Sequence, residues 1–351
     1  MCCTTYCEQE VAGNFMAHIA IIGAGMAGLS ALQTLKQAGH QVTVFDKSRG
    51  SGGRLASKKV GNASWDMGAQ FMRSHHSEFS QVLRQWELDG WVKHWDFQPH
   101  VIDADGIRRS DDDVQRYVGV SRMTALSRKL LEAADAFIPS TRIVDCQYHE
   151  SQWLLTADDS QTFSGFDGLI INTPPLQAQP LLQQPAPELA AQCDVDMMPT
   201  WTLLLAFDQP LTSPEREEDI KAAFVHHPII DFIAQNSDKP ERDKPTHGAP
   251  QTWTIHADHH WSREHSDSPR DWVQQQMLQA FFEVMRQPVQ ASCEIWLHRW
   301  LYAIVDQPLH CGALQSDSVP LAVCGDWLEQ GAVEGAWLSG QKAAQMMQQR
   351  F

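Results

Sequence analysis
Apolar residues along this chain are grouped with two different periods. His18-Ile19-Ala20-Ile21-Ile22 is a short β-branched run, the pattern of a strand buried on both faces. Leu29, Leu32 and Leu35 then recur at helical spacing, and Gly39 closes that helix. Gln41 to Phe45 reads as a second strand, with Asp46 at its end. Further on, the pattern predicts a helix around Met123 to Ala134, a strand at Arg142-Ile143-Val144 and a buried strand at Leu169-Ile170-Ile171. Near the end, Leu321 to Cys324 is a buried strand that stops at Gly325-Asp326. A final helix carries Val333, Ala336, Trp337, Gly340, Ala344 and Met347 on one stripe. Strands alternating with helices point to an α/β unit with a parallel sheet.

A second set of elements interrupts the first. Trp201 to Phe207, Thr252 to His256 and Ile295 to Trp300 read as strands, and Asp271 to Arg286 as an amphipathic helix. These suggest a mixed or antiparallel sheet covered by helices. Pro174, Pro175, Pro180, Pro185 and Pro187 mark the crossing between the two sets. Asn236 to Pro250 is polar and proline-rich, and it reads as a solvated surface loop. The expected organisation is a flexible leader at 1–16, one domain built from 17–70, 119–173 and 320–351, and a second from 71–118 and 174–319.

Charge narrows the class. There are 43 acidic against 27 basic side chains, a net charge of -16, which argues against nucleic acid as a partner. No apolar run approaches the roughly 18 residues of a membrane span. The leader lacks the basic and apolar regions of a secretory signal, so a cytoplasmic location with reduced thiols is expected. Cys2, Cys3 and Cys7 have no matching second cluster, so no metal site is assigned. His259 and His260 read as an exposed pair at a strand end, and His75 and His76 likewise as exposed.

The chemistry begins at Gly23-Ala24-Gly25-Met26-Ala27-Gly28, set between the first strand and the first helix. Gly23 permits the tight turn, Gly25 lets backbone approach a pyrophosphate, and Gly28 lets helix pack on strand. The helix start offers free amides and partial positive charge to phosphate. Asp46, roughly 20 positions after the glycines, suits a ribose diol. Lys47-Ser48-Arg49-Gly50-Ser51-Gly52-Gly53-Arg54 adds a second glycine-rich loop bearing arginines. A simple NAD domain has no need of it.

Together with Gly68-Ala69-Gln70 and Gly325-Asp326, these segments resemble the two-dinucleotide-binding-domain flavoproteins, the superfamily of flavin-containing amine oxidases and aromatic hydroxylases. Within it, Phe45 to Gly50, Asp66 to Phe71 and His298-Arg299-Trp300-Leu301-Tyr302-Ala303 look most like bacterial renalases. The resemblance implies a discontinuous FAD/NAD(P)-binding Rossmann-like α/β domain and a mixed α+β substrate domain on an antiparallel sheet. It implies FAD as cofactor, held by Gly23, Gly25, Met26, Ala27, Gly28, Asp46, Lys47, Gly53, Arg54 and Gln70. Val144 would meet adenine through its backbone, and Asp326 the ribityl or phosphate region. Gly335 and Ala336 would set the last helix's N-terminus at the flavin ring, where reduction places negative charge.

Substrate candidates under the same resemblance are Phe71, Arg73, His256, Arg299, Trp300 and Tyr302. Phe71 stands where tyrosine is often found, so a hydroxyl contact is missing. Renalases oxidise the 2- and 6-dihydro isomers of NAD(P)H by hydride transfer to flavin and reduce O2 to H2O2. That chemistry creates an aromatic cation directly and needs no general base, and no obvious one is seen. The alternatives are a flavin amine oxidase, an aromatic hydroxylase, or a flavin-binding protein without turnover. The expected partners are a dihydronicotinamide nucleotide and O2, with no nucleic acid and no membrane, in a monomer or weak dimer.

Overall fold
The computed structural model describes residues 16–211, 219–242 and 250–351. The leader reading falls outside these residues except for Met16, which is exposed. Six strands make one sheet in the order Leu314–Gln315, Leu321–Val323, Gly168–Ile171, His18–Ile22, Gln41–Phe45 and Ala136–Ile138. All neighbours are parallel except the Leu314–Gln315 edge. The sheet therefore gathers its strands from distant parts of the sequence, as the alternating pattern predicts. A three-stranded sheet, Ile143–His149, Gln152–Ala157 and Thr162–Phe166, packs beside it.

The first helix, Met26–Gln37, buries Leu29, Leu32 and Leu35. The last helix, Ala332–Gln348, lies directly across it. A Cβ on Gly340 would meet the Ala27 carbonyl oxygen at 2.1 Å, so only glycine permits this approach. The Ser30 hydroxyl donates to the Trp337 carbonyl at 2.8 Å and ties the two together.

The second sheet has seven strands, ordered Glu294–Val305, Met197–Phe207, Gln251–Ala257, Ile230–Gln235, Ala222–Val225, His100–Asp103 and Gly106–Arg109. Its pairings are antiparallel except Ala222–Val225 with His100–Asp103. Strand alternation gives it two distinct faces. Trp201, Leu203, Leu205, Ile233 and Ile255 pack under helix Arg270–Val284 through Val273, Met277 and Phe281. Thr200, Phe232, His256 and Trp300 point to the opposite face, toward the parallel-sheet unit.

The segment expected as a solvated loop from Asn236 differs in its first part. Asn236, Ser237, Lys239 and Arg242 are buried, and Asn236–Asp238 forms a 3-10 turn. Polar composition misleads here because each group finds a partner. Asn236 Nδ2 donates to the Ser64 carbonyl at 2.8 Å, and Lys239 Nζ to Asp66 Oδ2 at 3.0 Å. Residues 243–249 of that loop lie outside the described residues. Among the described residues, no helix is long and apolar enough to cross a membrane.

Candidate functional site
The glycine turn is held by tight backbone packing. Gly23 has φ of +105°, and a Cβ there would meet the Asn172 carbonyl oxygen at 2.1 Å. A Cβ on Gly28 would lie 2.3 Å from the Gly23 carbonyl oxygen. Gly25 begins the first helix with no side-chain cap, which leaves its start open to an anion. The second glycine loop folds against the first, with the Gly52 amide donating to the Ala24 carbonyl at 2.8 Å. A Cβ on Gly53 would approach the Gly25 Cα at 3.7 Å, so two backbones with no side chains face each other there.

From this turn a cavity of about 550 Å³ runs between the two sheets. Met26, Ala27, Gly52, Arg54 and Leu55 line one end. Gly68, Ala69 and Gln70 line its floor, and Ala332, Val333 and Ala336 bring the start of the last helix to it. Phe71, Phe224, Phe232, His256 and Trp300 form the facing wall. The dimensions fall in the range of small-molecule and cofactor sites. The uncapped helix start, the side-chain-free pair of loops and the cavity beside them fit a dinucleotide such as FAD.

Two charges at the inner end of the cavity are paired. Arg54 forks onto Asp326 with bonds of 2.7 and 2.6 Å and also reaches the Ala303 carbonyl at 3.0 Å. The two residues expected to contact the pyrophosphate and the ribityl region thus line the cavity as a closed pair. Asp46 accepts from the Ala24 amide at 2.8 Å and the Ser48 amide at 2.7 Å, one on each carboxylate oxygen. Each oxygen keeps a further lone pair.

Below the floor sits an ionic cluster that sequence reading did not find. Asp66 is fully buried and receives Lys239 at 3.0 Å and Arg242 at 2.8 Å. Burial by itself raises its carboxyl, and the Arg242 and Lys239 charges more than reverse this, so it stays well below the usual carboxylate range. Lys239 also donates to Gln70 Oε1 at 3.0 Å, while Gln70 Nε2 donates to the Asp66 carbonyl at 2.6 Å. The cluster fixes Gln70 from both ends of its amide.

The Met67 carbonyl organises the wall. His256 Nε2 lies 3.1 Å from it and Trp300 Nε1 donates to it at 3.3 Å. A carbonyl only accepts, so His256 carries its proton on Nε2. Burial holds its pKa down to about 4, so the ring is neutral at physiological pH.

Three further side chains reach the cavity together. His259 Nδ1 lies 2.5 Å from Thr200 Oγ1, and its Nε2 lies 3.3 Å from Asp231 Oδ2. Asp231 is the extra residue at a register shift between Ile230 and Phe232, and a bulge of this kind re-aims a side chain. Burial raises its carboxyl pKa, and Asp258 adds to that. His259 opens helix His259–Glu264 and is half-buried, not the exposed strand-end residue expected. The spacing of His256 and His259 was visible in sequence, but Asp231 and Thr200 come from strands far from it.

Other expected residues lie elsewhere. Arg299 sits opposite Trp201 on the helix-covered face, bonded to the Ser266 carbonyl, and does not line the cavity. Its neighbour Trp300, one residue on, faces the cavity by strand alternation. Tyr302 also misses the cavity, because the register shift between Met198 and Thr200 breaks the alternation that would have carried it there. Arg73 is exposed at the rim. Lys47 bonds Gln177 on the outside, at 3.2 Å. Val144 falls in the irregularity between Ile143 and Asp145, half out of the three-stranded sheet and exposed. Gly335 faces the Gln330 turn instead of the cavity, where Ala332 and Ala336 stand.

With this geometry in view, comparison with known proteins decides the family. A profile of the NAD(P)-binding Rossmann-like domain matches residues 21–86, and that of the flavin containing amine oxidoreductases matches residues 139–348. The chain belongs to the flavin containing amine oxidoreductase family. Its fold and family are those of FAD-dependent oxidoreductases. The chain is similar to the L-amino-acid oxidase of Bothrops pauloensis, 37% identical over 73 residues, which is 20% of this chain and 14% of that one. Another relative, the L-amino-acid oxidase of Siganus canaliculatus, is 40% identical over 68 residues, 19% of this chain and 13% of that one. The matched stretch is thus a small part of those relatives. The cyclohexylamine oxidase of Brevibacterium oxydans superposes with a TM-score of 0.75 at 12% identity, over 96% of this chain and 99% of that one. Wild-type putrescine oxidase bound to putrescine superposes with a TM-score of 0.68 at 12% identity, over 94% and 98%. At such identities the likeness is one of fold.

Proposed function
We propose that this chain is an FAD-dependent oxidase that takes a hydride from a small amine and delivers the electrons to O2. The observation that carries this reading is the cavity that joins a glycine-lined end to an aromatic wall. Bound FAD supplies an acceptor for the hydride and returns two electrons to O2. The chain's own residues bind, orient and exclude water. Phe71 and Phe232 meet edge-on with centroids 6.0 Å apart, and Phe224 and Phe232 lie 5.3 Å apart. Such faces suit an alkyl group beside a cationic or neutral nitrogen. The neutral His256 adds no competing positive charge. Placing the substrate flat against the ring contributes by proximity and orientation. The start of the last helix lines the cavity, where its dipole would stabilise negative charge on reduced FAD.

A second reading has its own support. Arg73 has no ion pair or hydrogen bond among the described residues and stands at the rim, the position for a nucleotide phosphate. This favours a dihydronicotinamide nucleotide, reduced at the 2 or 6 position, as the hydride donor. Either reaction suits the cytoplasm, where the buried thiols of Cys146, Cys193 and Cys324 stay free and inert.

The test is anaerobic mixing of the FAD-loaded protein with primary and secondary amines, amino acids and both dihydronicotinamide isomers. Bleaching of the yellow band by an amine, with H2O2 formed on readmitting air, is the expected result. Bleaching by the isomers alone, with a raised KM in Arg73→Ala, would replace the first reading with the second. A band untouched by all of them would end both.

A further inference from the structure
An amine arrives at the cavity carrying a proton, because aliphatic ammonium groups titrate near 10. Only the neutral form has the lone pair that expels an α-hydride. A base held at the cavity wall lets the abundant ammonium form be used. Six titratable side chains line the cavity: Arg54, Arg73, Asp231, His256, His259 and Asp326. The two arginines do not accept protons. Asp326 is forked by Arg54. His256 spends its Nε2 proton on the Met67 carbonyl, and its buried ring resists a second charge.

The remaining pair forms a chain with the right polarity. With the proton of the neutral His259 ring on Nε2, which lies 3.3 Å from Asp231 Oδ2, its Nδ1 is an acceptor for the Thr200 hydroxyl, 2.5 Å away. The Thr200 oxygen then presents its free lone pairs to the cavity. We infer, resting on the amine reading above, that Thr200, His259 and Asp231 form a relay that removes the substrate's proton. The substrate N–H bond breaks and an O–H bond forms on Thr200. At the same time the Thr200 O–H bond breaks and an N–H bond forms on His259 Nδ1. The product is a neutral amine and an imidazolium held by the Asp231 carboxylate; no electrons change hands. The neutral amine is then the form able to give up its α-hydride, for which bound FAD would be the acceptor.

The relay also has an exit. Thr200 is buried, at 3% exposure, while the side chains of His259 and Asp231 are 22% and 39% exposed. The proton passes from the dry wall to water along that gradient. The charged and titratable groups facing the pair are Asp258 and His226 on the Asp231 side and His256 on the His259 side. Asp258 favours an imidazolium nearby, and the other two oppose it when protonated.

The experiment compares the pH dependence of anaerobic flavin reduction by the best amine in the FAD-loaded wild type, His259→Gln, Asp231→Asn and Thr200→Val. General-base loss is commonly worth about 10²–10⁴-fold. At neutral pH we expect a deficit of that order in His259→Gln and Thr200→Val. The deficit should shrink about tenfold per pH unit toward the substrate's own pKa, where the amine arrives already neutral. Thr200→Ser should restore the rate. A second readout needs no turnover: the ¹⁵N resonances of His259, assigned by their loss in His259→Gln, should show Nδ1 as the unprotonated, hydrogen-bonded nitrogen, and that hydrogen-bond shift should vanish in Thr200→Val. A deficit equal at every pH, or none, with amines still bleaching the wild type, overturns the relay alone. A wild type that no amine bleaches overturns the relay together with the reading it rests on.

Discussion
The two ends of the cavity are built by opposite means. At the glycine end, backbone meets backbone with no side chain between: Gly23 on Asn172, Gly28 on Gly23, Gly340 on Ala27. At the aromatic end, side chains from the second sheet are aimed by register irregularities at Asp231 and beside Thr200, and by one shared carbonyl at Met67. Contacts of the first kind have no slack, because a peptide oxygen cannot rotate aside. Those of the second kind can be retuned one residue at a time. A cofactor common to a family suits the first, and a substrate particular to one member suits the second.

The sharpest way to break this contrast is Gly23→Ala. The new Cβ must displace a carbonyl oxygen 2.1 Å away at a φ of +105°, so we expect a loss above ~4 kcal/mol and no flavin retained in soluble protein. Absorbance of the purified variant checks it. Next is Asp66→Asn, which leaves Lys239 and Arg242 buried without their carboxylate. Removing one partner of a buried ion pair costs about 3–5 kcal/mol, read as a shift in the urea midpoint. The same residue sets an acid limit. Its folded carboxyl titrates below the unfolded value of about 4, so its contribution is whole above about pH 5 and drains as pH falls through 4. The stability of Asp66→Asn should be flatter across that window.

A smaller effect is expected of Glu334→Ala. Its carboxylate accepts from the His75 amide at 2.8 Å and the His76 amide at 2.7 Å, pinning the rim segment to the last helix. Stranding these amides costs about 1–3 kcal/mol by thermal unfolding. It also loosens the segment that carries Arg73, so KM should rise more than kcat falls. The smallest is Trp300→Phe, which removes one hydrogen bond to Met67 and costs about 1 kcal/mol. A change confined to KM would place Trp300 in binding, and a change only in the melting temperature would place it in packing.

The same contrast decides what could be read from sequence. The Gly23–Gly28 turn, the strand ending at Asp46, Gly68–Gln70 and the last helix are local motifs, and the elements they predict are present with ends shifted by a few residues. The aromatic wall depends on pairings between strands far apart in the chain. Arg299 and Trp300 are neighbours in sequence, yet alternation sends them to opposite faces, and only the partner Trp201 shows which is which. Tyr302 was misplaced by a bulge that no composition signals. Lys239 and Arg242 looked like solvent residues because their partner, Asp66, lies in a different part of the chain. His259 needed Asp231 and Thr200, from two other strands, before its position meant anything.

The crossing of the first and last helices has a consequence for biosynthesis. The glycine turn sits on a helix whose outer face stays bare until residues 332–348 have left the ribosome. Contacts of such long sequence separation form late and fold slowly. Nascent chains should therefore gain the ability to capture flavin only once that segment has emerged, and a chaperone that shields Met26–Gln37 in the interval would raise the yield of coloured protein.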